Sequence, residues 1–376
     1  MEKVKVAVMG FENGHCFSIF KGMLESQFCE VVAISIAPGV RLWDREHRLH
    51  LDMDELGVDV FFDDEEMLKA HPEIQGCALT GSNKKHMEQF RLCAERGIHV
   101  ISMKVPTLSM EEYDEMLALQ EKHNITVHTE LEMRWRASIE RLKDIVKNKT
   151  IGEIECFTAY NYSHNPIWWF HWMDIPEESY GKRIPIKPNA KTFRGGALTD
   201  HPHIFDVMTY IFESDIESVY AEAAPNMREG ADTEDMVYVT GRLKNGVIFS
   251  LDPSYANREQ ELARSIASYD WIKYPKTVQV DIQMSGTEGS ILADVYGADN
   301  IEMLQPNGIY RVTDYWVNLP LVSNTFIDDF AKSIMDPTKF GPQVDFKSHK
   351  KIMLAVNAAY ESIYTGEVVE INYEEK

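Results

Sequence analysis

The sequence predicts an α/β protein, with a doubly wound parallel sheet at its start and a second α/β domain carrying a large, mostly antiparallel sheet. Three observations predict it. Over the first third of the chain, short β-branched runs alternate with segments of helical spacing, the pattern of parallel strands joined by right-handed crossovers. After about Glu130 the strands lengthen, alternate with period two and meet at turns such as Lys244–Gly246, which favours antiparallel pairing. The 376 residues suit two domains of roughly 100–200 residues each. The expected division is 1–130 and 131–376.

The elements follow in order. Val4–Met9 reads as the first strand, Gly10–Gly14 as a turn and Cys16–Leu24 as a helix. Val31–Ile36, Val58–Phe62, Gly76–Thr80, Ile98–Ser102 and Ile125–His128 read as further strands. Between them lie an acidic helix start at Asp63–Glu66 and helical spacing over Lys85–Arg96 and Met110–His123. Beyond residue 130 a helix is expected over Ala137–Lys147. Strands follow at Ile154–Tyr162, Ile216–Ala224, Met236–Leu243, Val247–Leu251 and Val278–Ser285, interrupted by one helix over Ala197–Phe212. Ser323–Met335 and Lys347–Tyr364 have helical period, with Gly366 as a stop. Asn165–Arg194, rich in Trp, Pro and Lys, reads as a long loop of the kind that carries function.

Charge and cysteine usage narrow the classes. A formal net charge of -22 argues against nucleic acid and anionic membrane as partners, because both are held by clustered Lys and Arg. Five scattered cysteines without CxxC spacing give neither a disulfide framework nor a zinc site. The opening MEKVKVAVMGF enters a strand directly, without the apolar region of a signal peptide, and no apolar run approaches the roughly 20 residues of a membrane span. A cytoplasmic location is the default expectation.

The first turn is a candidate phosphate site. A dinucleotide fingerprint places G-x-G-x-x-G between a strand and a helix, so that the backbone can approach a pyrophosphate. Here the segment is Gly10-Phe11-Glu12-Asn13-Gly14-His15. The first glycine is in place, Glu12 and His15 hold the other two glycine positions, and Gly14 is displaced by one residue. The acid expected at the end of the second strand, for ribose hydroxyls, is replaced by Ile36, with Arg41 and Arg45 just beyond. Loss of the acid together with nearby arginines suits a 2′-phosphate; solvated helix arginines are the alternative.

Four segments carry a resemblance. Thr80-Gly81-Ser82-Asn83-Lys84-Lys85-His86 follows the fourth strand, and Gly97-Ile98-His99-Val100-Ile101-Ser102-Met103-Lys104-Val105-Pro106 spans the fifth. Gly195-Gly196-Ala197-Leu198-Thr199-Asp200-His201-Pro202-His203-Ile204-Phe205-Asp206 opens a helix, and Ala358-Ala359-Tyr360-Glu361-Ser362 with Thr365-Gly366 closes one. In this order they resemble the motifs of the Gfo/Idh/MocA family, the glucose-fructose oxidoreductase and inositol dehydrogenase group, over nearly the whole length. The departures are Met103 in place of a Glu, a proline one residue late, and an Asp200-to-His203 spacing one residue short.

The resemblance implies a Rossmann-like first domain binding NAD or NADP, and a second domain for substrate binding and oligomerisation. The reaction implied is hydride transfer at a hydroxyl of a sugar, cyclitol or glycoside. Such a reaction also moves a proton, and needs a base near the hydroxyl and a cation beside the developing alkoxide. Lys104 ends a strand of the parallel sheet, where ligands of such sheets sit. His203 lies early on a helix with Asp200 and Asp206 three residues to either side. The expected catalytic set is Lys104, His203 and Asp200. Gly10, Phe11, Glu12, Asn13, Gly14, Thr80, Ser82, Asn83, His86 and Lys104 are the coenzyme set, and Arg134, Tyr162, Trp168 and His201 the substrate contacts. Asp206 reads as a structural hydrogen-bonding group, and Arg134 has a surface ion pair as its alternative. His201-x-His203 with Asp200, and His164 and His171 in the preceding loop, invite a metal reading, but spacing alone shows no convergence of three or four ligands and no metal is expected. The aromatic loop suits sugar stacking or burial in a subunit interface, and a homo-oligomer, dimer or tetramer, is expected. Two other classes stand beside the dehydrogenase: an NAD-assisted glycosidase or lyase with transient sugar oxidation, and a non-catalytic binding protein.

Overall fold

The computed structural model describes residues 2–12, 15–37, 53–107, 109–163, 196–224, 234–255, 278–295, 301–305, 308–312, 322–341 and 344–373. Among these, 2–132 and 322–349 form one compact unit, and 133–312 and 350–373 a second.

In the first unit, strands β1 (Val4–Met9), β2 (Cys29–Ser35), β3 (Asp59–Phe61), β4 (Gly76–Leu79), β5 (His99–Ser102) and β6 (Val127–Thr129) make one sheet in the order β3-β2-β1-β4-β5-β6. Every neighbouring pair is parallel. The central strands carry apolar side chains on both faces, and β4 and β6 are buried at every residue, as a sheet covered on both sides requires. Helices α1 (Cys16–Glu25), α2 (Met53–Leu56), α3 (Asp64–Ala70), α4 (Asn83–Ala94) and α5 (Met110–His123) fill the crossovers. The strand order reverses between β1 and β4. With right-handed crossovers, this reversal opens a crevice at the carboxyl ends of those strands. Asp63 caps α3 by accepting the Glu66 N–H at 2.8 Å, and α5 ends at Asn124 in the left-handed conformation.

In the second unit, α6 (Ala137–Lys147) precedes the long strand β7 (Ile154–Ser163). Helices α7 (Ala197–Asp200) and α8 (His203–Phe212) follow, then β8 (Ile216–Ala223), β9 (Val237–Leu243), β10 (Ile248–Asp252), β11 (Val278–Gly286), β12 (Gly289–Asp294), β13 (Ile301–Gln305) and β14 (Gly308–Val312). Near the end of the chain, α9 (Val322–Met335) packs in the first unit against α1, and α10 (Phe346–Thr365) leads to β15 (Val369–Glu370). The second sheet runs β14-β13-β12-β11-β7-β10-β9-β8-β15, antiparallel except for the β7–β10 pair.

The register divides this sheet into two unlike faces. One transverse row is Met303, Ile291, Met284, Phe157, Phe249, Gly241 and Val219. It is apolar, and Phe157 meets Phe212 of α8 edge-on at 5.7 Å. Gly241 is required there, because a Cβ would lie 2.1 Å from Ser218 O and 2.6 Å from the Phe249 ring. The neighbouring row is Leu292, Gln283, Thr158, Ser250, Thr240 and Tyr220. It is polar with isolated apolar members, and Tyr238, Ile248 and Leu292 are exposed. A period of two places these rows on opposite faces.

Among the elements, the structure departs from the sequence reading at α2, which was not expected, and in two places in the second unit. The single helix expected over Ala197–Phe212 is two helices, broken at His201-Pro202. Proline has no N–H and drives the residue before it out of the helical region, and His201 sits at φ -114, ψ 50. Strands β12 to β15 were not expected. The β13–β14 hairpin has an Asn307-Gly308 signal, but its strands are short and carry charged residues, and only their partners define them.

Candidate active site

The first unit brings the ends of β1, β4 and β5 together through backbone contacts. Gly10, at φ +92, has no room for a side chain: a Cβ would stand 2.5 Å from Gly81 Cα. The β1 and β4 turns therefore touch. The Phe11 N–H donates to Thr80 Oγ1 at 3.0 Å and the Glu12 N–H to Thr80 O at 2.9 Å. The Glu12 carboxylate, which would repel a diphosphate if it faced one, turns instead to accept the Ser82 N–H at 2.8 Å. Ser35 at the end of β2 donates to Asp64, whose other oxygen accepts Gln89 at 2.8 Å. Asn13, Gly14, Arg41 and Arg45 lie outside the described residues.

Lys104 follows β5 and is 8 % exposed. The start of α4 holds the segment after it: Asn83 Nδ2 donates to Val105 O at 2.6 Å, and the His86 ring nitrogens lie 3.0 Å from Pro106 O and 3.1 Å from Gly81 O. Burial pushes His86 down to about 4. Both ring edges of this buried histidine face carbonyls. It is thus a strut between the β4 and β5 turns rather than a surface lining a nicotinamide, and Asn83 serves the same segment.

One group here was missed from the sequence. His15 Nδ1 lies 2.7 Å from Glu130 Oε1, just beyond β6. Burial disfavours the charged ring, but Glu130 outweighs it and holds His15 above the ordinary imidazole value, with Glu132 assisting and Lys104 opposing. His15 was visible in the sequence only as a defect in the glycine pattern.

In the second unit His203 opens α8 and is 4 % exposed. Asp200, at the end of α7, accepts the Tyr255 hydroxyl at 2.9 Å and lies 3.7 Å from His201 Nε2. His201 is built into the scaffold: its ring nitrogens lie 2.5 Å from Pro253 O and 2.9 Å from Ser163 Oγ. Both edges are occupied by protein, which corrects its expected role as a substrate contact. Arg134 forms a buried bidentate pair with Asp206, at 2.9 and 2.5 Å, and lies over the Tyr210 ring. The pair is buried, not the surface ion pair that stood as the alternative for Arg134, and it gives Asp206 the structural role read for it. Tyr162 stacks on Tyr160 at 4.5 Å and donates to Asp252 at 2.6 Å. Alternation along β7 puts it on the face opposite Ser163 and His201, so Tyr162 and His201 do not line one surface. Trp168, His164 and His171 lie outside the described residues.

Two further groups stand out. Glu234 accepts the Leu198 N–H at 3.0 Å and the Tyr360 hydroxyl at 2.7 Å. Burial pushes it up to about 7, with adjacent Asp235 adding to the effect. Its carboxylate occupies the space beside Gly196, where a Cβ would come within 2.1 Å, which explains a glycine before α7. Asn161 shares the Ser163 face of β7 and is 1 % exposed, and among the described residues neither polar atom of its carboxamide has a hydrogen-bond partner. A buried, unsatisfied amide costs about 1–3 kcal/mol unless something else binds it. No group of three or more His, Cys, Asp or Glu able to hold a metal occurs among the described residues, and no helix of them is long and apolar enough to cross a membrane.

The comparisons agree with this architecture. Residues 7–131 match an oxidoreductase family with an NAD-binding Rossmann fold, and residues 139–292 match the Gfo/Idh/MocA C-terminal domain. The chain belongs to the Gfo/Idh/MocA family of oxidoreductases, with a Rossmann-like first domain that takes NAD or NADP as coenzyme. A myo-inositol 2-dehydrogenase of Thermotoga maritima is 24 % identical, over 85 % of this chain and 86 % of the relative. A D-xylose 1-dehydrogenase (NADP(+)) of Haloferax volcanii is 22 % identical, over 87 % of this chain and 90 % of the relative. The solved structure of an inositol dehydrogenase homolog from Azotobacter vinelandii, complexed with NADH and myo-inositol, has a TM-score of 0.76 over 98 % of each chain, at 14 % identity. That likeness is one of fold.

Proposed function

We propose that this oxidoreductase transfers hydride at a hydroxyl-bearing carbon of a sugar, cyclitol or glycoside, and that Lys104 and His203 handle the proton. The observation that carries the reading is Lys104, nearly buried just past the carboxyl end of β5 in a sheet whose order reverses between β1 and β4. The residues fit a nicotinamide coenzyme in three respects. The turn after β1 is tight and glycine-dependent, it leads into a ten-residue helix, and the one carboxylate in its described part is engaged by Ser82. When bound, the nicotinamide ring supplies the hydride acceptor or donor.

The rest falls to the side chains. The Lys104 ammonium hydrogen-bonds the reacting oxygen and favours its alkoxide character. His203 takes the hydroxyl proton in oxidation and returns it in reduction. Asp200, held by Tyr255, keeps negative charge beside this histidine-bearing segment, and Asn161 offers its unsatisfied amide to a second substrate hydroxyl. The polyol class is supported by the relatives named for inositol and xylose. A homo-oligomer is supported by the exposed apolar side chains on the outer face of the nine-stranded sheet.

Lys104→Ala and His203→Ala are each expected to lower kcat by about 100-fold or more, the scale of general acid–base catalysis, with coenzyme-induced stabilisation retained in His203→Ala. An NAD(P)H absorbance screen over sugars and cyclitols supplies the substrate for this test. Near-normal turnover in both variants would remove them from the mechanism.

A further inference from the structure

Helix α7 has four residues, far fewer than the roughly 12–15 at which an isolated helix begins to hold itself in water. Its place is therefore set by what grips it. The grip comes from Glu234-Asp235, just ahead of β9. The main-chain oxygen of Glu234 accepts the Ala197 N–H at 3.0 Å, and its carboxyl Oε1 accepts the Leu198 N–H at 3.0 Å. The same Oε1 accepts the Tyr360 hydroxyl of α10 at 2.7 Å, and that hydroxyl lies 2.8 Å from Thr199 Oγ1. The Asp235 carbonyl accepts the Tyr255 N–H at 2.8 Å, and the Tyr255 hydroxyl donates to Asp200 at 2.9 Å. Two adjacent residues thus reach all four positions of α7, the last of them Asp200.

An acid is a costly choice for this place. Glu234 is 3 % exposed, and its Oε2 lies in the space beside Gly196 with no hydrogen-bond partner among the described residues. Burying an incompletely satisfied polar group disfavours the folded chain. What the acid brings is one oxygen that takes donors from two helices at once. Those helices carry two of the four segments singled out in the sequence, Gly196–Asp200 and Ala358–Tyr360, and Glu234 is the residue that joins them.

We propose that Glu234 is a positioning residue for the proton step: by joining α7 to Tyr360 of α10 it fixes where Asp200 stands, and with it the turn through which the chain enters His203. Glu234 itself does not touch the reacting atoms; it acts through α7. The inference rests on the function proposed above and deepens it.

The test compares steady-state kinetics and coenzyme titration in the purified full chain, with the substrate found by the NAD(P)H screen. Glu234→Ala is expected to lower kcat on the order of 10- to 100-fold, the scale of a displaced catalytic group. Its affinity for NADH or NADPH, followed by protein fluorescence, is expected to stay at the wild-type value. Glu234→Gln keeps the shape and the acceptor oxygen, and is expected to recover most of the lost kcat. Tyr360→Phe removes the hydroxyl between Glu234 and Thr199 and is expected to lower kcat in the same direction. The double variant, Glu234→Ala with Tyr360→Phe, is expected to be no slower than Glu234→Ala alone, because both act through one bridge. Circular dichroism confirms that each variant is folded at the assay temperature; if Glu234→Ala is not, Tyr360→Phe decides. Wild-type kcat in Glu234→Ala or in Tyr360→Phe overturns the role, as do losses that multiply in the double variant or a Glu234→Gln protein as slow as Glu234→Ala. Each of these leaves the oxidoreductase reading standing. Absence of NAD(P)-linked turnover by the wild type with every sugar and cyclitol overturns that reading, and this inference with it.

Discussion

Arg134 and Asp206 show how a side chain suited to a substrate can be spoken for by the protein. Their pair is bidentate and buried. Removing one member strands the other charge, at a cost of about 3–5 kcal/mol. Arg134→Ala is therefore expected to lose that much stability in chemical denaturation, whereas a substrate contact would raise KM and leave stability intact. Glu234 makes a different statement. Its folded-state value of about 7 lies above the ordinary carboxyl value of 4.5, so the folded chain holds this proton more tightly than the unfolded one. Its contribution to stability is present below about 4.5 and is lost as pH rises to about 7. Glu234→Gln, neutral throughout, is expected to remove that part of the slope when unfolding free energies of the two proteins are compared across this window. An unchanged slope would show that Glu234 does not titrate there.

Elements decide where these residues point. The break at His201-Pro202 separates Asp200 from His203, so their spacing is not one helical step. His201 ties the break to β7 through Ser163 and to the chain after β10 through Pro253. Ser163→Val removes a partner from a buried imidazole, an expected cost of about 1–3 kcal/mol. The expected result is a lower Tm and lower kcat, with coenzyme affinity unchanged; loss of coenzyme binding would count against a role confined to α7 and α8. The strand β7 sorts residues with equal force. Phe157, Ala159, Asn161 and Ser163 are buried, while Tyr160 and Tyr162 stack on the other face. The sequence reading set Tyr162 and His201 together as substrate contacts, without applying the period of two that separates Tyr162 from Ser163.

The nine-stranded sheet has one face under α8 and one without a helical layer among the described residues, carrying Tyr238, Ile248 and Leu292. Apolar side chains on such a face are suited to a second copy of the chain. Ile248→Asp with Leu292→Asp is expected to lower the oligomeric state seen by analytical ultracentrifugation while the chain stays folded. Unchanged sedimentation would count against an interface on this face.

Much of this architecture was legible from local pattern. β1 and the helices Met110–His123 and Ala137–Lys147 fall where β-branched runs and helical period place them, because apolar spacing is a property of neighbouring residues. The parallel first sheet and the mostly antiparallel second sheet follow from connection lengths and strand alternation. Lys104 at a strand end was likewise readable, since its position is fixed by its own element, whereas the break that puts His203 at a helix start was not. Partnership was not readable either. His15 with Glu130, Glu234 with Tyr360, and Arg134 with Asp206 join residues 115, 126 and 72 positions apart. Hydrogen bonds and burial at such separations depend on how sheets and helices pack. The sequence by itself determined the fold class and the chemical groups available; only the tertiary structure decided which of those groups are engaged by the protein and which remain for a ligand.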